Sequence, residues 1–286
     1  MLEKKIALGT ANFGSSYGIF KSKIAKESKI KEILEFCKQN YIDTIDTSMD
    51  YYKSEKVIGQ AGYKNFNIIT KLPKLDQSSI ISPEKLEKII LNSLSKLKKK
   101  SLYALLFRDP KSIIEFNYID IWKIAKHLKK KGIIKKLGIS IYNPKELDSV
   151  FNILGPDLVQ TPYNFFDRRI EYSGWINKLF QKNIEIHTRS IFLQGLLLRK
   201  KNELPIKFLR YKNIWDNYHN WLNVNNISAL EACINFILEK KEISKMVIGI
   251  ESAEQFNEII QVKVRKMNFS SWNEDIEEEL IDPRKW

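Results

Sequence analysis

Short apolar runs alternate with longer stretches of helical periodicity along the whole chain, and no other feature constrains its fold as tightly. The runs fall at residues 5–9, 42–46, 67–71, 102–107, 136–140, 157–160, 184–188 and 245–249. Each is rich in Ile, Val, Leu or Thr and short enough for a strand buried on both faces in a parallel sheet. Residues 26–39, 82–98, 119–131, 144–151 and 228–241 carry the spacing of amphipathic helices. Ser82-Pro83-Glu84-Lys85 reads as a helix start, with Ser as N-cap and Pro at the first helical position. Asn143-Pro144 reads the same way, and Ser252 before Ala253-Glu254-Gln255 is a third candidate N-cap.

Strands that alternate with helices either close into a barrel or open into a doubly wound sheet. A dinucleotide-binding open sheet places a glycine-rich G-x-G-x-x-G turn after its first strand, and here that place reads Gly9-Thr10-Ala11-Asn12-Phe13-Gly14. Strand count and the missing motif favour an α/β fold of the (β/α)8 TIM-barrel class. A length of 286 residues suits one such unit. The expected organisation is a single domain over 1–286, with an irregular insertion at about 199–226 and a C-terminal tail at about 263–286. The tail is acidic, with Glu274, Asp275, Glu277, Glu278 and Glu279.

Composition excludes several classes. With 43% apolar residues the chain can build a large core, and no apolar run is long enough to span a bilayer. The start, with Glu3, Lys4 and Lys5, is unlike a signal peptide. Cys37 and Cys233 sit in apolar helical patterns without metal-ligand neighbours, which predicts buried thiols, a cytoplasmic setting and no metal site. The net charge of +14 suits either a lysine-coated surface or an anionic metabolite. The lysine runs at 98–100 and 129–131 fall at expected helix ends, where cations complement the helix dipole. No nucleic-acid motif accompanies them, so neither nucleic acid nor membrane is expected as a partner.

In a barrel, functional side chains collect at the C-terminal ends of the strands. The second strand ends on Asp46 and the third on Lys71, with Tyr51 in the loop after Asp46. A lysine closing a run of isoleucines needs a counter-charge, which Asp46 at the adjacent strand end supplies. Such a pair is either purely structural or a device for tuning the nearby phenol, which then donates a proton to a carbonyl oxygen.

On these residues the chain resembles the aldo-keto reductases, over about residues 4–262. Leu8-Gly9-Thr10-Ala11-Asn12-Phe13-Gly14 is similar to the family's opening strand and turn. Ile45-Asp46-Thr47-Ser48-Met49-Asp50-Tyr51-Tyr52-Lys53-Ser54-Glu55 resembles its D-T-A-x-x-Y-G-x-S-E signature. The resemblance implies Asp46, Tyr51 and Lys71 as catalytic residues. It also implies cofactor contacts from Gly9, Thr10, Ser140, Gln160, Gly249, Ser252 and Gln255. Gln160 and Ser140 would hold the nicotinamide amide and ring. Gly249-Ile250-Glu251-Ser252 with Gln255 would form the loop and helix start at the adenosine phosphate end.

Four positions depart from the family pattern. Arg108 stands where a histidine usually ends the fourth strand, and it cannot relay a proton although it can polarise a carbonyl. None of His127, His187 or His219 matches that position; His127 falls in a helix, His187 in the seventh strand near the mouth, and His219 in the insertion. Arg189 occupies the place of an aromatic residue that stacks on nicotinamide, and it is counted among the cofactor contacts. Tyr52 replaces a glycine and is expected to crowd its loop, while Gln255 stands where many members carry an arginine for the 2′-phosphate. The cofactor implied is therefore NADP or NAD.

Arg108 beside Tyr51 is expected to lower the phenol pKa. With Arg189 it either forms a basic mouth for a carboxylate or phosphate, or pairs with Asp109 and other acids. The resulting expectation is an oxidoreductase of carbohydrate metabolism that reduces the aldehyde or ketone of a small sugar-like substrate, anionic or nucleotide-linked. The alternatives are a non-redox sugar epimerase or lyase, and a binding barrel that has lost full reductase activity.

Overall fold

The computed structural model describes residues 2–21, 24–74, 82–116, 118–272 and 274–286. The apolar runs form β1 (Ile6–Gly9), β2 (Thr44–Asp46), β3 (Asn67–Lys71), β4 (Leu102–Arg108), β5 (Ile134–Ser140), β6 (Leu158–Pro162), β7 (Glu185–Arg189) and β8 (Lys245–Gly249). All pair in parallel and in chain order, and β1 closes on β8. The expected (β/α)8 barrel is the fold observed.

Helices Glu27–Gln39, Pro83–Leu97, Ile119–Lys130, Lys145–Leu154 and Ala229–Leu238 lie where the helical spacing put them. Ser82 and Ser252 act as N-caps, accepting from Lys85 N and Gln255 N. The helix after Asn143 starts one residue later than expected, at Lys145 with Pro144 at the N-cap, while Asn143 Oδ1 accepts from Lys145 N and Glu146 accepts from the amides of Tyr142 and Asn143. The apolar stripes of these helices pack on the outer face of the barrel, and Ile69, Ala104, Leu106 and Leu158 form a separate cluster. Among the described residues, no helix is long and apolar enough to cross a membrane. Cys37 and Cys233 are both buried and free.

The stretch expected to be an irregular insertion is only partly so. It contains the helix Lys212–Val224, which buries Trp215, Tyr218, Trp221 and Leu222 on one face. These rings join Phe165, Phe166, Phe269 and Trp272 in an aromatic cluster, with Phe166 and Trp272 stacked at 5.5 Å. Arg168 is buried in the same layer and donates to the carbonyls of Phe269 and Trp272. The C-terminal tail is thus fastened over the β6 end of the barrel, and Glu278 adds a 2.9 Å ion pair with Arg169.

Candidate active site

Side chains at one register meet around the C-terminal mouth. Gly9 pairs with Asp46 and with Gly249, while Arg108 pairs with Ser140, Ser140 with Gln160, and Gln160 with His187. Lys71 ends β3 with its side chain buried, and its Nζ lies 2.5 Å from Asp46 Oδ1 and 2.9 Å from Thr47 O. Gln160 Nε2 donates to the other oxygen of Asp46 at 2.8 Å, and Ser140 Oγ reaches Gln160 Oε1 at 3.4 Å. Asp46 is thereby held by two elements at once.

Tyr51 sits over this pair, with Lys71 Nζ 5.8 Å from its ring centroid. Its loop is fixed from several sides. Ser54 Oγ contacts Thr10 O, Thr10 Oγ1 and Thr47 Oγ1, tying the ends of β1 and β2 to the helix Ser54–Ala61. Glu55 is buried and accepts from Thr70 and Ser93, so the Ser-Glu of the signature braces the loop from outside the cavity. Gly14 is obligatory here, because a Cβ on it would fall 2.0 Å from Tyr51 O and 2.8 Å from the amides of Lys53 and Ser54. Tyr52 does not crowd the loop as expected. Its side chain is 73% exposed, and its φ of 44° is the left-handed conformation that a glycine accepts without penalty.

The phenol is tuned in the opposite direction from expectation. Burial and the Asp46 charge push Tyr51 up to about 12, against the lowering effect of Arg108 and Arg189. Burial lowers the Lys71 ammonium, against support from Asp46. A depressed phenol was expected because the basic neighbours are legible in sequence whereas the loss of water is not.

Arg108 lines the cavity and donates to Asp50 Oδ2 at 2.8 Å, so its acid partner is Asp50 and not Asp109, which approaches Lys74. Arg189 donates to Ile141 O and Ser190 Oγ and lies 4.4 Å over the Tyr142 ring. Arg284, from the tail, covers Tyr142 at 4.0 Å and is held by the buried Asp282. Tyr142 is therefore flanked by two guanidinium groups.

The cavity encloses about 660 Å³. Gly9, Thr10, Asp46, Tyr51, Lys71, Arg108, Ser140, Gln160, Arg189, Gly249 and Gln255 all line it. Ser252 does not, because its hydroxyl caps the helix Ala253–Ile260. None of the three histidines lines the cavity, although His187 pairs in register with Gln160. His187 is wholly buried and its Nε2 bonds Glu185, which also binds Lys136 and Tyr103. His219 bonds the carbonyls of Trp215 and Arg199, and His127 is exposed. Sequence reasoning missed Tyr17, Tyr142 and Arg284 in the lining. Tyr142 carried a usable signal, two residues beyond the end of β5, whereas Arg284 reaches the mouth only through the tail's tertiary packing.

The chain matches the family model "Aldo/keto reductase family" over residues 5–276 and belongs to that family. It is an oxidoreductase with the family's NAD(P)H-dependent carbonyl chemistry. An uncharacterized oxidoreductase, YqkF, of Bacillus subtilis (strain 168) is 24% identical over 243 residues, covering 78% of this chain and 77% of that protein. Two solved structures share the fold. The glycerol dehydrogenase AKR11B4 of Gluconobacter oxydans has a TM-score of 0.71 at 19% identity, over 93% of this chain and 88% of its own. The holo form of aldo-keto reductase AKR11C1 of Bacillus halodurans has a TM-score of 0.70 at 18% identity, over 90% and 86%.

Proposed function

We propose that the protein reduces the aldehyde or ketone of a small carboxylated or phosphorylated sugar in the cytoplasm, with Tyr51 as proton donor. The observation that carries this is that one cavity is lined by a buried Asp46–Lys71–Tyr51 group and by arginines that include Arg108, Arg189 and Arg284. Among the described residues Arg189 has no carboxylate within ion-pair distance, so its guanidinium is available to an anion.

The cavity fits a nicotinamide dinucleotide. Gly9 and Gly249 line it without side chains, Ser140 and Gln160 offer amide partners beside Asp46, and Asn12 Oδ1 is a buried acceptor without a partner among the described residues. When bound, the dinucleotide supplies the hydride. Tyr51 gives its proton to the carbonyl oxygen, and the resulting phenolate is stabilised by Lys71, Arg108 and Arg189. Asp46 and Thr47 O keep Lys71 in place for this role. Arg108 donates to the same oxygen, replacing the orienting function of a histidine without carrying a proton. Tyr51, pushed up to about 12, holds its proton at neutral pH, as a proton donor to a carbonyl oxygen must. The dinucleotide and substrate share one cavity of about 660 Å³, which favours a free anionic sugar over a nucleotide-linked one.

The test is steady-state reduction of paired neutral and carboxylated or phosphorylated sugar aldehydes. Arg189→Ala should raise KM for the anionic member by about 10- to 100-fold, the worth of a charge-assisted contact, and leave the neutral member nearly unchanged. Equal effects on both members would remove the anion assignment. A product at the substrate's own oxidation level would replace reduction by epimerisation or elimination.

A further inference from the structure

A second cavity, of about 510 Å³, opens on the opposite face of the barrel from Tyr51, among the turns that lead from the outer helices into the strands. Two consecutive turns wall it. Tyr41 and Asp43 come from the turn between the helix Glu27–Gln39 and β2, and Tyr63, Lys64 and Phe66 from the turn between the helix Ser54–Ala61 and β3. The rings of Tyr63 and Phe66 meet edge to face at 6.0 Å. Lys99 Nζ fixes this wall from behind, donating to the carbonyls of Lys64 at 2.5 Å and Phe66 at 3.0 Å. Three aromatic side chains thus line one opening.

The backbone of Tyr41 is the unusual part. Among the described residues, six turns from an outer helix into a strand place a residue in the left-handed conformation. In four of them it is Gly62, Gly132, Gly155 or Asn183, residue types that accept it at low cost. Tyr41, at φ 57°, and Lys98, at φ 51°, are the exceptions. A bulky side chain is strained in this conformation. The Tyr41 ring returns little to the core for that strain, because it is 82% exposed. The fold alone would favour glycine or asparagine at this position, and strain held at an exposed aromatic residue beside a cavity points to a ligand.

The charges at the opening favour an anion. Asp43 is matched by Lys245 at 2.8 Å and accepts from Thr44 Oγ1 at 2.7 Å. Lys38, which lines the cavity, reaches Glu35 only at 3.8 Å. Exposed Lys64 has no acid within ion-pair distance among the described residues. Burial and the nearby Glu35 raise the Tyr63 phenol, which therefore stays a neutral hydrogen-bond donor. We propose that this cavity binds a planar aromatic carboxylate, its ring between Tyr41 and the Tyr63–Phe66 pair and its carboxylate toward Lys64 and Lys38. The site is separate from the reductase cavity and stands or falls independently of the activity proposed there.

The test is ligand-observed NMR titration of the full chain with naphthoate and with naphthamide, its neutral match. Naphthoate should bind saturably with a Kd of about 0.1–1 mM at low ionic strength, as suits a ligand of this size. It should bind about 2- to 5-fold more tightly than the amide, an advantage that shrinks as salt rises. Tyr41→Asn should weaken binding about tenfold or more by removing one wall, while its melting temperature holds or rises as the backbone strain is relieved. Lys64→Gln should remove most of the preference for the carboxylate. Arg189→Ala, on the other face of the barrel, should leave naphthoate binding in place. Absence of saturable binding, full-strength binding in Tyr41→Asn, or an unchanged carboxylate preference in Lys64→Gln would each overturn the proposal. Loss of binding in Arg189→Ala would do the same by placing the ligand in the reductase cavity. A lower melting temperature in Tyr41→Asn would also overturn it, because the ring would then serve the fold.

Discussion

Replacing Lys71 by Met isolates the energetics at the centre of the site. Asp46 is 3% exposed, and after the replacement Gln160 Nε2 at 2.8 Å remains as its side-chain partner. At the 2.5 Å separation of the pair and an effective dielectric of about 20, the gross attraction is roughly 6–7 kcal/mol. Much of that is offset by the cost of removing both ions from water, so the net worth of the intact pair is small. The single replacement removes the attraction and leaves Asp46 buried, and about 3 kcal/mol of stability should be lost. At roughly 2–3 °C per kcal/mol for a chain of this size, the melting temperature should fall by roughly 6–9 °C. The double variant Asp46→Asn with Lys71→Met removes both charges and keeps an amide oxygen for Gln160, so it should lie within about 1 kcal/mol of wild type. Thermal and urea unfolding followed by circular dichroism measure both. Equal losses in the single and double variants would refute the coupling, because they would mean that Asp46 is not an uncompensated buried charge once Lys71 is gone. Both variants should be inactive as reductases, which separates the stability of the pair from its use.

Gly14→Ala should destabilise by about 1–3 kcal/mol, since all three clashing atoms are backbone, and should displace the Tyr51 loop. A displacement of this kind is expected to reduce kcat about 100-fold, read in the same reductase assay. At the opposite side of the barrel interior, burial raises Glu185 but contacts with His187 and Lys136 bring it down to about 2. A carboxylate depressed from its ordinary 4.5 stabilises the fold above that pH, and the contribution is lost as pH falls toward 2. Acid titration of unfolding stability should show about 3 kcal/mol lost across this window, and Glu185→Gln should flatten the curve.

The barrel was legible because burial on both faces forces parallel strands to read as short apolar runs, and all eight runs became strands within a few residues. The proposed catalytic group was legible for a related reason. Asp46 and Lys71 are charges at the ends of adjacent apolar strands, and such charges must find each other once buried. The helix Lys212–Val224 escaped notice because its polar face, including Lys212, Asn213, Asp216 and Asn220, dilutes the aromatic spacing that buries Trp215, Tyr218 and Trp221. Arg284 and Asp50 entered the site through tertiary contacts between elements distant in sequence, which no local pattern encodes. The sign of the Tyr51 shift was missed because desolvation depends on the closed shape of the cavity, while the arginines opposing it are visible as letters.

The central claim is that Tyr51 donates the proton in a carbonyl reduction supported by Lys71 and Asp46. The most direct measurement follows dinucleotide oxidation and alcohol formation together, with an aldehyde substrate, in wild type and in Tyr51→Phe. The account predicts one alcohol formed per dinucleotide oxidised, a loss of at least about 100-fold in kcat for the variant, and dinucleotide binding that is retained. Turnover in Tyr51→Phe at close to the wild-type rate would contradict it, because the proton would then come from another group.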